Sequence, residues 1–168
     1  MKMIYKVSQK FTFKCSTEKL WNLITSPECL ELFHPFCKEN KVLLWESAEN
    51  KKDYIIYLNG LKYYREFFRW EEKKYFELFI GKLNGKKSKV KWKIMHSTKK
   101  EHTILEIEVF PYRTSKIPKF IIYSLVFAIY IKPMLKKYLR SVLRGINWYL
   151  NNKSPVPKSH FGNHSWFE

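Results

Sequence analysis

The sheet of this protein is decided by residues 88–112, which read SKVKWKIMHSTKKEHTILEIEVFPY. Apolar residues alternate with Lys in the first half and with Glu in the second half, and the polar residues 98–101 separate the two halves. A period of two with one polar face is typical of half-buried strands. The short turn predicts an antiparallel hairpin in which Lys and Glu pair across the solvent-facing side.

Five more alternating runs precede this hairpin. The first strand is predicted at residues 3–15, and the others at 41–47, 53–58, 61–70 and 74–83. Asn59-Gly60 and Asn84-Gly85 lie between such runs, and Asn-Gly is a strong hairpin signal. With strands at 88–97 and 102–112, the sequence predicts seven antiparallel strands.

Two short helices are predicted between the first and second strands. Ser16 is expected to cap the first helix, because its hydroxyl can accept from a free backbone N–H. Ser26 and Pro27 predict the start of the second helix, since proline at the first helical position lacks only an unused donor. The pair His34-Pro35 predicts its end, because a residue before proline avoids the helical region.

A helical period replaces the period of two after Pro118. Residues 131–150 place apolar side chains on one face and Lys132, Lys136, Arg140 and Arg144 on the next, which predicts an amphipathic helix. Residues 120–131 are apolar nearly all round, so we expect them to be buried on more than one side or docked on another surface. This run is shorter than the roughly 20 residues of a transmembrane helix. Pro133 is expected to kink the junction.

Several stretches of sequence carry a family resemblance. They are FKCSTEKLW at 13–21, TSPE at 25–28 with HPF at 34–36, Gly60 followed by Arg65, Glu66 and Trp70, and Gly145 with PVP at 155–157, FG at 161–162 and His164. Together with the order of elements, these residues resemble the START-like superfamily, also called SRPBCC, which includes polyketide cyclases and dehydrases.

The resemblance implies an α+β helix-grip fold. A seven-stranded curved antiparallel sheet would wrap around a long C-terminal helix, with two short helices after the first strand. One domain is expected over residues 1–150, with residues 151–168 as a tail packed on it. The resemblance also implies a cavity between sheet and helix for lipids, sterols, polyketides or other apolar molecules. It does not imply an activity, because a fold does not fix a function.

The charge of the chain is positive and unevenly distributed. The net charge is +17, residues 109–167 contain no Asp or Glu, and nine Lys and Arg follow Arg113. This asymmetry favours an anionic partner such as an acidic membrane surface, unless the lysines serve only solubility. Nucleic acid is disfavoured, because Lys and aromatic residues alternate in 88–97 and therefore point to opposite faces.

The cysteines, the N-terminus and the spacing of the histidines limit the kinds of site and the location that the sequence predicts. Cys15, Cys29 and Cys37 form no CxxC pair, which argues against a disulfide framework or a thiolate zinc site and fits a reducing compartment. The N-terminus has no uninterrupted apolar segment, so no secretory signal is predicted, and the expected location is cytoplasmic or peripheral to a membrane. His160 and His164 flank Gly162 in a predicted coil, so no metal site and no cofactor are predicted.

The candidate ligand-binding residues lie on inward-facing positions of the predicted elements. His96 shares the apolar side of its strand, where it would orient a ligand carbonyl, act as an acid or base, or serve as a core histidine. Gln9 and Tyr57 are candidate hydrogen-bond partners in the cavity. Trp92 and Phe127 are candidates for its apolar lining.

Three charged or polar residues are ambiguous in the sequence. Arg65 and Glu66 are adjacent on a strand whose two sides are both aromatic, so only one of them faces inward and the pattern leaves both as candidates. The inward one would need a partner for its charge. His34 is predicted either to gate the mouth of the cavity or to be exposed at a helix end.

Three functions follow from these features. The first is binding of a hydrophobic or lipid-like small molecule in the internal cavity, as a carrier or sensor. The second is an enzyme of the cyclase or dehydrase type acting on an apolar substrate, with His96 as the candidate catalytic residue. The third, suggested by charge alone, is nucleic-acid binding. Peripheral membrane association through the basic amphipathic C-terminal helix is a variant of the first.

Overall fold

A computed structural model of the chain describes residues 5–47, 50–112 and 120–168. The described residues form seven strands: β1 (Val7–Phe13), β2 (Cys37–Ser47), β3 (Asn50–Tyr57), β4 (Lys62–Glu71), β5 (Tyr75–Gly81), β6 (Lys87–His96) and β7 (Thr103–Phe110). They make one antiparallel sheet in the order β1-β7-β6-β5-β4-β3-β2. The seven-stranded sheet predicted from the alternating runs is therefore confirmed.

Irregular pairing accompanies the curvature of the sheet. The β2–β3 pairing shifts register at three places, and the β4–β5 pairing shifts once, between Phe67 and Arg69. Each shift locally bends the strand and increases its twist. Several predicted strand bounds were wrong by two to four residues. The strands β2 and β3 begin earlier than predicted, at Cys37 rather than residue 41 and at Asn50 rather than residue 53. The strands β1, β5 and β7 each end two residues earlier than predicted, at Phe13, Gly81 and Phe110.

Two short helices connect β1 to β2: α1 (Thr17–Thr25) and α2 (Leu30–Phe33). The predicted cap of α1 is confirmed, because Ser16 Oγ accepts from the Lys19 N–H at 3.2 Å. The predicted start of α2 at Pro27 was wrong. Ser26 instead ends α1, where its hydroxyl donates to the Leu23 carbonyl, and Glu28 adopts a positive φ of 58° that interrupts helical geometry.

The C-terminal helix is continuous but contains one wider turn. Its parts are α3 (Phe120–Val126), a π-helical turn (Phe127–Ile131) and α4 (Lys132–Asn152). The Lys132 N–H donates to the Phe127 carbonyl, five residues back. Pro133 follows directly and has no N–H to donate, so the irregularity expected at this proline takes the form of a wide turn.

The buried face of α4 closes the core against the sheet. The predicted apolar stripe is confirmed, since Leu135, Leu139, Val142 and Ile146 are all buried. Gly145 lies where α4 meets α2, and a Cβ at this position would be 1.9 Å from the Phe33 carbonyl oxygen. Only glycine permits this approach of the two helices.

The apolar segment before α4 is buried on one side only. Tyr123 and Phe127 lie in the core, while the outer side carries exposed apolar side chains: Ile122, Leu125, Ile129 and Tyr130. Of the two alternatives expected for this segment, burial on more than one side does not hold for residues 122–131, and docking on another surface stays a prediction. Among the described helices, none is long and apolar enough to cross a membrane.

Candidate ligand-binding cavity

A cavity of about 390 Å³ lies between the sheet and α4. Its wall is mostly apolar and is supplied by the inward side chains of the central strands and of α4, among them Leu78, Val90, Trp92, Ile107, Leu139 and Val142. Period two along the strands and the helical stripe of α4 bring these residues to a common interior. A volume and lining of this kind suit a small apolar ligand.

The C-terminal tail supplies part of the wall near the opening. Partly exposed lining residues include Tyr63, Tyr112, Ile131 and Trp166. The Phe167 ring stacks on Tyr57 with 4.3 Å between centroids. Backbone hydrogen bonds hold the tail against the rest of the protein, such as the one from the Val156 N–H to the Leu32 carbonyl at 2.9 Å. Residues at the end of the chain therefore contribute to the cavity wall.

Three polar side chains form a hydrogen-bonded chain on the cavity wall. His34 ends α2, Tyr57 ends β3, and Tyr138 lies on the buried side of α4. The Tyr138 hydroxyl is 2.7 Å from His34 Nε2 and 3.3 Å from the Tyr57 hydroxyl. Three elements that are distant in sequence thus place their polar groups at one point.

The protonation of His34 follows from its surroundings. Its Nδ1 accepts from the Phe36 N–H at 3.3 Å, which assigns the ring proton to Nε2 and makes Nε2 the donor to Tyr138. Burial, with a further contribution from the nearby charge of Arg65, lowers the pKa of His34 to about 3. His34 is therefore neutral at physiological pH.

Tyr57 and Tyr138 both keep their hydroxyl protons at neutral pH. Burial is the main cause that raises the pKa of Tyr57 well above its usual range. Burial also raises the pKa of Tyr138. The two hydroxyls are therefore hydrogen-bond donors as well as acceptors, not bases.

A buried ion pair lies on the sheet side of this region. Arg65 and Asp53 are directly opposite residues of β4 and β3, and Arg65 Nε donates to Asp53 Oδ1 at 2.7 Å. Arg65 Nη2 donates to Asp53 Oδ2, so the pair is bidentate. Burial disfavours the charged guanidinium, but the Asp53 carboxylate outweighs this and raises the pKa of Arg65. The pair brings no net charge to the cavity.

Three of the predicted ligand-binding residues lie on the cavity wall: Tyr57, Arg65 and Trp92. The ambiguity between Arg65 and Glu66 is resolved by the sheet. Arg65 is buried and faces inward, whereas Glu66 lies on the outer side and pairs with Lys87 at 2.8 Å. The partner that an inward charge requires is Asp53.

The other predicted residues lie away from the cavity. Gln9 is half-buried on β1 opposite Ile107, and Phe127 packs against Tyr5 and Tyr123. His96 is the last residue of β6 and its side chain is exposed. The prediction that His96 points into the interior was therefore wrong. The side chains on the inward-facing side of β6 are buried only as far as Ile94.

Sequence reasoning missed two of the central polar groups. His34 was expected at the mouth of the cavity or in solvent, yet it is only 2% exposed. Tyr138 was assigned to the apolar stripe of the helix with no role for its hydroxyl. The one available signal was a tyrosine among aliphatic residues on a buried face, since a buried tyrosine hydroxyl usually has a partner.

Comparisons with solved structures identify the fold. The structure is similar to a START superfamily protein from Mycobacterium smegmatis, with a TM-score of 0.66 and 11% identity over 89% of this chain and 99% of that chain. The chain has the START-like fold. A protein from Arthrobacter aurescens gives a TM-score of 0.67 at 14% identity, over 96% of this chain and 94% of its own.

The structure is also similar to CalU16 from Micromonospora echinospora, with a TM-score of 0.58 and 12% identity over 90% of this chain and 77% of that chain. No protein-family model matches the sequence, and no curated protein is similar to it. Identities this low establish the START-like fold and leave the function to be argued from the cavity.

Proposed function

We propose that this protein binds an apolar small molecule in the cavity between its sheet and α4, as a carrier or sensor. The observation that carries the proposal is the cavity itself, with about 390 Å³ of space and a wall that is mostly aliphatic and aromatic. Transfer of an apolar ligand from water into such a site is favourable by roughly 25 cal/mol per Å² of apolar surface removed from water.

The direct test is to identify what the purified protein carries. A native mass spectrum is recorded, and the protein is then extracted with organic solvent and the extract analysed. We expect a stoichiometric apolar adduct, or uptake of one equivalent of the neutral fluorescent probe N-phenyl-1-naphthylamine by the protein. A bare mass combined with no saturable uptake of the probe would contradict the proposal.

A cavity-filling variant locates the binding. Val142 is buried and lines the cavity, so the indole in Val142→Trp is expected to occupy ligand space and weaken probe binding at least tenfold. Leu125→Trp introduces the same side chain at an exposed position of the same helix and serves as the control. Equal probe affinity in the two variants, with both folded, would place the probe outside the cavity.

The cyclase or dehydrase alternative has weaker support. Such an enzyme needs a group that takes up a proton near neutral pH. Among the described residues, the side chains that line the cavity include no Asp or Glu, His34 has a pKa of about 3, and the pKa values of Tyr57 and Tyr138 are raised. His96 is exposed and outside this lining. The cavity therefore favours binding over proton transfer.

Peripheral membrane association is a second candidate function, and one observation favours it. The outer side of α3 and the π-helical turn carries four exposed apolar side chains, Ile122, Leu125, Ile129 and Tyr130, which we call the outer apolar face. Lys132 directly follows the π-helical turn, and residues 109–167 contain no Asp or Glu. Apolar side chains next to lysines are typical of helices that lie in the interface of an anionic bilayer.

A matched pair of leucines tests this candidate. Leu125 lies on the outer apolar face and is 60% exposed, whereas Leu43 is 54% exposed on β2. In sedimentation with vesicles of phosphatidylcholine and phosphatidylglycerol, Leu125→Ser is expected to lower the bound fraction and Leu43→Ser to leave it unchanged. Reversal of Lys136 and Arg140 to Glu should also release the protein. No binding by the unaltered chain would remove this candidate.

A further inference from the structure

The hydrogen-bonded chain His34–Tyr138–Tyr57 contains one more proton than it uses. Each of the three side chains has one proton on nitrogen or oxygen, since His34 is neutral with its proton on Nε2. Two hydrogen bonds join the three groups, at 2.7 and 3.3 Å, and they use two of the three protons. One hydroxyl proton is left over.

This count does not depend on the direction of the bond between the tyrosines. If Tyr57 donates to Tyr138, the remaining proton belongs to Tyr138, and if Tyr138 donates, it belongs to Tyr57. Neither hydroxyl has another hydrogen-bond acceptor among the described residues. Both tyrosines line the cavity, so the spare donor is available to a molecule inside it.

The charges around this donor select for an uncharged acceptor. The cation on the cavity wall, Arg65, is already bound by both oxygens of Asp53. A carboxylate inside the cavity would have no free cation among the described lining residues, and a buried charge without a partner is costly. A carbonyl oxygen accepts a hydrogen bond without this cost.

We propose that the ligand of this cavity is an apolar molecule with an uncharged carbonyl oxygen, held by the spare hydroxyl proton of the Tyr57–Tyr138 pair. The inference rests on the proposed binding function and names the chemical class of its ligand. His34 acts as a positioning residue, because its Nε2–H occupies one lone pair of the Tyr138 hydroxyl and leaves the proton of that hydroxyl for Tyr57 or for the ligand.

Three naphthalenes of similar shape test the inference in competition with N-phenyl-1-naphthylamine. They are 2-acetylnaphthalene, 2-ethylnaphthalene and 2-naphthoate, which carry a carbonyl, no acceptor and a carboxylate. We expect the ketone to bind roughly 5-fold more tightly than the hydrocarbon, the net effect of one hydrogen bond, and more tightly than the carboxylate. Equal affinity of ketone and hydrocarbon, or tightest binding of the carboxylate, would overturn the inference.

Variants assign the preference to the hydrogen-bonded side chains. Either single change of a tyrosine to Phe leaves one hydroxyl proton, and the double change leaves the Nε2–H of His34 without its acceptor. The triple variant His34→Leu/Tyr57→Phe/Tyr138→Phe is therefore needed, and it is expected to bind ketone and hydrocarbon equally. Tyr54→Phe, on the outer side of β3, is the matched control and should keep the preference. A preference that survives in the folded triple variant would overturn the inference.

A spectroscopic readout needs no variant. The carbonyl stretch of 2-acetylnaphthalene bound to the unaltered protein is expected at lower wavenumber than in hexane, because a hydrogen bond weakens the C=O bond. A stretch equal to that in hexane would overturn the inference even if the triple variant does not fold. If neither the probe nor any of the three naphthalenes binds, it is the proposed binding function that fails.

Discussion

The two halves of the C-terminal helix differ in how their apolar surface is used. Both are rich in large apolar residues, and they form one continuous helix. In α4 the apolar side chains form a stripe that is buried against the sheet, while α3 and the π-helical turn bury one side and expose the outer apolar face. An apolar residue on a helix therefore indicates burial only where a second layer covers that side.

The largest difference between the halves is expected at Gly145. Alanine normally stabilises a helix relative to glycine by about 1 kcal/mol. At this position, however, the new Cβ would lie 1.9 Å from the Phe33 carbonyl oxygen, so α2 and α4 would have to separate. We expect Gly145→Ala to lower the free energy of unfolding by more than about 3 kcal/mol, measured by urea denaturation.

Ala128 allows the converse exchange, of alanine for glycine, in the N-terminal half of the C-terminal helix. It is exposed in the π-helical turn, so Ala128→Gly should cost only about 1 kcal/mol, from backbone entropy. A stability of Gly145→Ala equal to or above that of the unaltered protein would mean that α2 and α4 do not approach this closely.

A pair of leucines provides the next largest contrast. Leu139 in α4 is 2% exposed and lines the cavity, so Leu139→Ala is expected to cost 2–5 kcal/mol, roughly the range for buried leucines. Leu125→Ala in α3 should change stability by less than about 0.5 kcal/mol, because the side chain is mostly in water. Similar losses in both variants, from urea midpoints, would indicate that the outer apolar face is covered in solution.

The smallest predicted effect is a pH dependence that originates at His34, which ends α2 and contacts the buried side of α4. His34, which donates to Tyr138, has a folded pKa of about 3 against 6.5 for the unfolded chain. Below pH 6.5 the unfolded state takes up a proton that the folded state does not. Stability is therefore complete above pH 6.5 and decreases as the pH falls toward 3, by about 1.4 kcal/mol between pH 7.5 and 5.5.

His34→Gln is the variant that isolates this contribution. Glutamine does not titrate, so the slope of the unfolding free energy between pH 7.5 and 5.5 should become smaller by that amount. Burial also lowers the pKa of His164, so part of the slope is expected to remain and should vanish in the double variant with His164→Gln. An unchanged slope in His34→Gln would mean that His34 is accessible to protons in the folded protein.

Local patterns predicted most of the fold. Alternation identified the seven strands, and Ser16 marked the start of α1 as expected. Errors occurred where pairing or capping partners decided the ends: β2 starts four residues early because Cys37 pairs with Tyr57, and α2 starts late because of the backbone of Glu28. Neither partner is visible in the pattern of a single segment.

The candidate site was only partly predictable. Tyr57 and Trp92 were found because their inward positions on strands follow from the period of two. His96 has the same place in the alternation of β6, but it lies at the end of the strand, where its side chain is exposed. The alternation alone does not show where the covering layer ends. His34 and Tyr138 are 104 residues apart, and no local signal connects a helix-ending histidine to a helical tyrosine.

The sequence by itself determined the elements of this protein, their order and the sides that face inward, because backbone periodicity is set by neighbours three or four residues away at most. Only the tertiary structure decided which inward sides are covered, which charge meets Asp53, and where His34, Tyr57 and Tyr138 meet. Burial and hydrogen-bond partners depend on the packing of elements that are distant along the chain. The cavity and the spare hydroxyl proton of the Tyr57–Tyr138 pair are therefore consequences of the tertiary structure.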